Sequence, residues 1–436
     1  MNRRRFLISS GLALLATQFQ SETNAASPLP DKVKRVVFLG DSITYAGLYV
    51  DYIEAVWRLR FPESQVEFLD LGLPSETVSG LSEPGHAGGK FPRPDLHERL
   101  DRVLAQTRPD LVIACYGMND GIYYPLSDDR LAAFQQGILT LRRKVEAMGA
   151  KIIHLTPPVF DSLPILDKTL PGGLEKYEKP YSGYDEVLTR YSEWLLEQRR
   201  FGWEVYDVHG PMLKHLEERR KTDPNFIFAK DGVHADATGH WLMAQALLQA
   251  WNLGPDKEMT SIDARQRRVL LGRATGLQVT PDGLSFTWQT KLTQPYDPKW
   301  DAASLALAGM GNRMARRELK VINLPSGDYL LKEDDTEVMQ VNHKDLYYGV
   351  TLVGQPNTAL QKRGAELLKI ISRRRKMLSD AWLGATGHLR PGMAKGLPLA
   401  EAEAKAAVYG KEIRAFAEPV EVKVEVSGRV ATPGKK

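Results

Sequence analysis

The sequence predicts an α/β fold, a parallel sheet with helices on both faces, followed by a smaller region of mixed β and α. Two observations carry this. Across residues 33–253, short apolar runs of strand length alternate with stretches whose apolar residues recur at helical spacing. After about residue 261 the alternation gives way to short β-rich segments divided by turn residues, then to a long basic helical stretch. The 436 residues have room for two domains, or for one domain with a substantial appendage.

The predicted strands of the first region are Val36-Val37-Phe38-Leu39, Val66-Glu67-Phe68-Leu69, residues 111–116, Ile152-Ile153-His154-Leu155 and residues 203–208. Their apolar, β-branched content suits strands covered on both faces. Helices are expected at 48–60, 96–107, 131–148, 184–200 and 212–220. In such sheets ligands sit beyond the carboxyl ends of the strands, so the chemistry is sought there. In the second region strands are expected at 284–288, 319–322, 328–331, 349–353 and 420–426, with helices at 359–377 and 399–408. The run Arg373-Arg374-Arg375-Lys376 reads as a solvated helix face or as a polyanion site, the first being the plainer reading.

The chain begins with a basic stretch, residues 1–5, and an apolar run, residues 6–16, before a small-residue site at Ala25 or Ala26. That is the layout of a signal peptide, assigned to residues 1–25. Eleven residues of helix rise about 16 Å, roughly half a hydrocarbon core, so export rather than a stable membrane span is expected. Arg3-Arg4-Arg5-Phe6-Leu7 is similar to a twin-arginine signal, which points to a periplasmic or extracellular protein.

Hydrophobic residues are 43% and charged residues 26% of the chain, the balance of an ordinary globular protein. The net charge of +4 falls to +2 without the first 25 residues, which argues against electrostatic nucleic-acid binding. The single cysteine, Cys115, excludes an intrachain disulfide and reads as a small buried hydrophobe. Nine histidines show no ligand spacing, so no metal and no cofactor are expected. His154 and His240 read as core histidines.

Three separated blocks carry the chemistry. Gly40-Asp41-Ser42-Ile43 follows the first strand, Gly117-Met118-Asn119-Asp120 the third, and Asp231-Gly232-Val233-His234 lies near the end of the region. A serine hydroxyl is a poor nucleophile until a base takes its proton, and imidazole titrates near working pH. His234 is the candidate base, Asp231 its orienting carboxylate, Ser42 the nucleophile and Asn119 a donor to developing negative charge.

On these blocks, in this order, residues 33–253 resemble the SGNH (GDSL-type) hydrolase superfamily. The resemblance implies a flavodoxin-like three-layer α/β/α domain, assigned to residues 31–255, and metal-free serine ester hydrolysis. It implies Ser42, Asp231 and His234 as the catalytic residues, with an oxyanion hole from Ser42, Asn119 and the second block, Leu71-Gly72-Leu73-Pro74-Ser75-Glu76-Thr77. Ser75 stands where the family usually has glycine, and Gly72 is the alternative donor. Asp41, His86, Arg93, Tyr123 and Tyr124 are candidates for substrate contact, with a loop turn carrying polar groups at the surface as the plainer reading for His86 and Arg93.

The expected function is an exported esterase acting on short acyl groups, acetyl first, carried by a carbohydrate. The partners are then a small-molecule or glycan ester, with no nucleic acid, no stable membrane span and an oligomeric state left open. Hydrolysis or transfer of longer acyl chains, as in a lysophospholipase or thioesterase, is the alternative within catalysis. A catalytically silent glycan-binding protein is the alternative outside it. For residues 261–436, association or the covering of an otherwise exposed apolar face is expected.

Overall fold

The computed structural model describes residues 28–29, 32–171, 179–253, 257–310, 316–387, 390–393 and 395–428. The signal segment expected at residues 1–25 lies outside the described residues. Among the described residues no helix is long and apolar enough to cross a membrane.

The first region runs β1 (Arg35–Gly40), α1 (Ser42–Ala46), α2 (Leu48–Arg60), β2 (Glu67–Asp70), α3 (Leu96–Thr107), β3 (Leu111–Cys115), α4 (Asp128–Ala147), β4 (Lys151–Leu155), α5 (Tyr184–Glu197), β5 (Glu204–Tyr206), α6 (His209–Arg220) and α7 (Ala237–Ala250). The five strands form one parallel sheet in the order β2-β1-β3-β4-β5, as the flavodoxin-like expectation requires. Every residue of β3 is buried, because helices cover both faces of a parallel sheet. Cys115 is a buried free thiol there. His154, on β4, is buried with neither ring nitrogen partnered among the described residues, and burial pushes its pKa down to about 3. It stays neutral and stacks on Trp203, with ring centroids 5.2 Å apart.

The second region runs β6 (Lys257–Asp263), β7 (Arg268–Leu271), β8 (Ala274–Thr280), β9 (Gly283–Thr290), α8 (Ala302–Met310), β10 (Arg316–Ile322), β11 (Asp328–Glu333), β12 (Thr336–Asn342), α9 (His343–Tyr348), β13 (Val350–Thr351), α10 (Ala359–Ala385), α11 (Leu399–Ala415) and β14 (Val420–Gly428). Two sheets, β13-β10-β6-β7 and β12-β11-β14-β9-β8, share a second core around Trp288, Phe286, Leu319, Leu331 and Val424. The helices α10 and α11 belong instead to the first core, through Leu367, Ile371, Trp382 and Ile413. The segment ahead of α8 joins it too, with Trp300 edge-on to Tyr52, centroids 5.2 Å apart.

The basic run on α10 is neither a solvated face nor a polyanion site along its whole length. Arg374 and Arg375 are buried, because α10 lies against α2 and β2, where acids await them. Arg374 Nη1 donates to both Glu54 carboxylate oxygens, at 3.0 and 3.2 Å. Arg375 Nε donates to Asp51 Oδ1 at 2.6 Å and its Nη1 to Asp70 Oδ2 at 2.8 Å. Its Nη2 caps α1 by donating to the Ala46 carbonyl at 2.8 Å. A Cβ at Gly47 would stand 2.0 Å from the Arg375 guanidinium carbon, and the Gly47 φ of +73° favours glycine as well.

Removing one partner of a buried ion pair leaves an uncompensated charge, typically at a cost of about 3–5 kcal/mol. Arg375→Met is expected to lose about that much stability in urea denaturation, whereas Lys405→Met, at an exposed pair with Glu401, should stay within about 0.5 kcal/mol of the parent. A chain ending at Leu253 bares the α2 surface that α10 covers, leaves Asp51 and Asp70 without their Arg375 guanidinium, and leaves Glu54 with Arg58 alone. It should aggregate on expression, and a soluble, cooperatively melting fragment would contradict the shared core.

Candidate active site

Strand order decides where the candidate residues collect. The sheet grows from β1 in opposite directions to β2 and β3, and loops leaving β1 and β3 part at their carboxyl ends to open a crevice. Gly40, closing β1, pairs with Cys115, closing β3, so Ser42 and Asn119 emerge side by side. A Cβ on Gly40 would stand 2.1 Å from Thr44 Oγ1 and 2.7 Å from the Cys115 carbonyl oxygen, so only glycine lets α1 fold back so tightly.

Ser42 is the first residue of α1, and Asp41 caps that helix, its Oδ1 accepting the Ile43 N–H at 2.9 Å. His234 reaches the serine from the loop before α7. That loop is held where Asp231 Oδ1 accepts the N–H groups of Val233 and His234, at 3.0 and 2.8 Å. The Asp161 N–H also donates to the Gly232 carbonyl at 2.9 Å. Asp231 Oδ2 lies 2.6 Å from His234 Nδ1, and His234 Nε2 lies 2.8 Å from Ser42 Oγ. The carboxylate fixes the proton on Nδ1, which leaves the Nε2 lone pair to accept from the serine hydroxyl.

Burial pushes the Asp231 carboxyl up, but hydrogen bonds from the His234 ring and from two backbone N–H groups outweigh it and hold it well below the usual range. The His234 imidazole is raised, first by its hydrogen bond to Asp231, against burial, and with help from the charges of Asp231 and Asp41. Both side chains are about half exposed, at 50% and 56%, so solvent reaches this edge.

The second block faces the serine across the crevice. Ser75 has a φ of +71°, a conformation glycine reaches freely, which fits a position where the resemblance implies glycine. Its N–H meets no acceptor among the described residues. The Gly72 N–H does not share that freedom, since it donates to Asp70 Oδ1 at 3.0 Å. Asn119 is buried, with one amide N–H on the Glu76 carbonyl at 3.2 Å and its Oδ1 accepting from Tyr123 Oη at 3.2 Å. One amide hydrogen remains for a ligand. Glu76 is clamped in turn by Arg99 Nε at 2.6 Å, Arg99 Nη2 at 2.8 Å and Tyr116 Oη at 2.7 Å. Asp120 Oδ1 accepts the Val78 and Ser79 N–H groups, each at 2.8 Å, and ties the Gly117-to-Asp120 block to the segment just after Thr77.

Ser42, Ser75, Asn119, Asp231 and His234 line one cleft of about 460 Å³, within the range of small-molecule sites. Of the candidate substrate contacts, Arg93 and Tyr123 line it and three do not. Asp41 is buried beneath α1, where burial lifts its pKa to about 7. His86 is buried against Glu83, at 3.1 Å, and Phe91. Tyr124 turns to Arg130, whose guanidinium lies 5.4 Å from its ring centroid. Arg93 is itself spent on Glu83, with contacts of 2.6 and 2.8 Å, and lies 5.3 Å from the Tyr123 ring centroid. It is part of the wall.

Lys168, Lys230 and Arg390 also line the cleft, and sequence reasoning missed all three. Lys230 adjoins Asp231, which was a usable signal. Lys168 ends a 3-10 turn, Leu163–Lys168, in the loop after β4, the edge where ligands were sought. Arg390 follows α10, which Arg102 anchors near its end by donating to the Thr386 carbonyl at 2.9 Å, and no local pattern marks it.

Residues 38–242 match the GDSL-like Lipase/Acylhydrolase family. This α/β unit belongs to that family. The GDSL-like unit is accordingly that of a serine ester hydrolase. No curated protein matches the chain. Among solved structures, BT4096, described as a gut microbial diltiazem-metabolizing enzyme, is 20% identical with a TM-score of 0.71 over 91% of this chain and 98% of that one. The fold it shares thus includes the second region. A catalytic mutant of Axe2, an acetylxylan esterase from Geobacillus stearothermophilus, is 19% identical over 50% of this chain and 94% of that one, with a TM-score of 0.37. An acetyl xylan esterase, AlAXEase, is 18% identical over 50% and 98%, also at 0.37.

In the folded protein, NMR titration of the His234 ring should give a pKa above the ordinary 6.5, since the Asp231 contact favours the imidazolium. Asp231→Asn removes that support and should move the midpoint down. An unchanged midpoint would show that the contact is not made in solution.

Proposed function

We propose that the protein is an exported esterase that removes short acyl groups, acetyl above all, from a carbohydrate, by nucleophilic catalysis at Ser42. The observation that carries the reading is the chain Ser42 Oγ, His234 Nε2, His234 Nδ1, Asp231 Oδ2, with links of 2.8 and 2.6 Å, opening into a cleft with polar and charged walls. A wall of this kind supports a hydrated alcohol portion better than a long acyl chain. Residues 1–25, with their signal-peptide layout, support export.

In this reading Ser42 Oγ attacks the ester carbonyl while its proton passes to His234 Nε2. The imidazolium is held by Asp231, and the oxyanion is met by the N–H groups of Ser42 and Ser75 and by the Asn119 amide. Collapse expels the alcohol, which takes the proton from His234 and leaves an acyl-Ser42. Water, activated by the same imidazole, then releases the acid. Tyr123 and Glu76 hold the Asn119 amide, so its donor is in place before charge develops.

A fluorophosphonate probe should label Ser42 in the mature protein, and labelling should fail in His234→Ala. Ser42→Ala should abolish acetate release from acetylated oligosaccharides, and release should fall as the acyl chain is lengthened from acetyl to octanoyl. Equal release by parent and variant, or activity rising with chain length, would defeat the reading. Asn119→Ala should lower kcat by about 10²–10³ with a much smaller change in KM, because the donor acts on charge present only in the transition state.

A further inference from the structure

The cleft carries more positive charge than the hydrolysis of a neutral ester uses. Its walls hold four basic side chains, Arg93, Lys168, Lys230 and Arg390, against one acid, Asp231. Asp231 is engaged by His234 at 2.6 Å and Arg93 by Glu83. Lys168 and Lys230 are exposed, and among the described residues neither ammonium is held by a hydrogen bond or an ion pair, although the Lys230 charge is felt by the Asp236 carboxyl. Two ammonium groups at the mouth of one cleft repel each other and raise the local concentration of anions.

Their place relative to the reaction says which part of the substrate they meet. His234 delivers a proton to the departing alcohol, so the alcohol portion lies on the His234 side, away from the oxyanion donors. Lys230 adjoins the Asp231-to-His234 turn on that side. The loop bearing Lys168 is fastened to the same turn by the Asp161 N–H on the Gly232 carbonyl, and a Cβ on Gly232 would stand 3.0 Å from Ile165. Arg390 reaches the same cleft from beyond α10.

We infer that the alcohol portion of the ester is anionic, an acylated carbohydrate bearing carboxylate or sulfate groups, bound through Lys168 and Lys230 with Arg390 beside them. The inference rests on the esterase reading of the same cleft. Lysine presents a point charge on a flexible stem rather than a fixed fork, which suits a polymer whose charged groups arrive in several registers. Recognition of this kind raises kcat/KM chiefly through encounter and weakens with salt, as the Debye length shortens from about 30 Å at 0.01 M to about 3 Å at 1 M.

The test compares acetate release from four acetylated oligosaccharides of equal length: an oligogalacturonide, its methyl ester, a neutral xylo-oligosaccharide and a sulfated xylo-oligosaccharide. At low salt kcat/KM for the free oligogalacturonide or the sulfated sugar should exceed that for the neutral sugars by about tenfold or more. The anion preferred identifies the group, and high salt should erase the preference. The same ratio should fall towards one in the Lys168→Ser/Lys230→Ser protein. A ratio near one in the parent, or a preference untouched by the double replacement or by salt, overturns the inference.

Calorimetry on Ser42→Ala with unacetylated oligogalacturonide and sulfated xylo-oligosaccharide separates this from the esterase reading. Salt-sensitive binding of either anion, lost with the lysines, in a protein whose parent hydrolyses no ester would keep the anion site and remove the esterase. Hydrolysis of neutral and anionic esters alike, with no binding of either anion, would do the reverse.

Discussion

One guanidinium sits where three parts of the molecule meet. Arg375 bonds Asp51 on α2, Asp70 at the end of β2 and the last carbonyl of α1, the helix that begins with Ser42. Asp70 uses its other oxygen on the Gly72 N–H, at the root of the loop that carries Ser75. The helix that begins with Ser42 and the loop that carries Ser75 thus hang from opposite sides of one buried charge supplied by the second region. Such a charge is costly to bury alone, and here two carboxylates offset it while backbone carbonyls take its remaining donors.

Around this anchor the site is built as a set of fixed dipoles. The Asn119 amide is held at both ends, Glu76 is gripped by Arg99 and Tyr116, and Asp120 fastens the loop that follows Ser75. Groups so constrained lose little freedom when a charged intermediate forms, and this is where preorganised sites gain most of their effect. The His234 edge is more open to solvent, which the proposed hydrolysis would use for the departing alcohol and the incoming water.

Much of this was legible in the sequence because the first region is locally consistent. Its strands are short apolar runs, its helices have caps and periodicity, the blocks at Ser42 and Asn119 follow strand ends, and the Asp231-to-His234 block precedes a helix. The second block was ambiguous between Gly72 and Ser75, since a free N–H is a matter of geometry and not of residue type. The strands β6, β7, β8 and β12 escaped notice: β8 is a largely exposed edge strand, and β6 mixes charged with apolar residues. The arginines of α10 looked like solvent-facing charge, because their acidic partners lie more than three hundred residues earlier and leave no mark on the local pattern.

That separation has a consequence for how the chain reaches its native state. Asp51 and Arg375 are 324 residues apart. A ribosome therefore makes the whole α/β unit well before Arg375, so Asp51 and Asp70 exist before their counter-charge does, whereas Glu54 already has Arg58. The packing of α10 on α2 is thus a contact of high sequence separation, made only after the elements it joins have been synthesised. Completion of the packing around α2 therefore waits on the last quarter of synthesis.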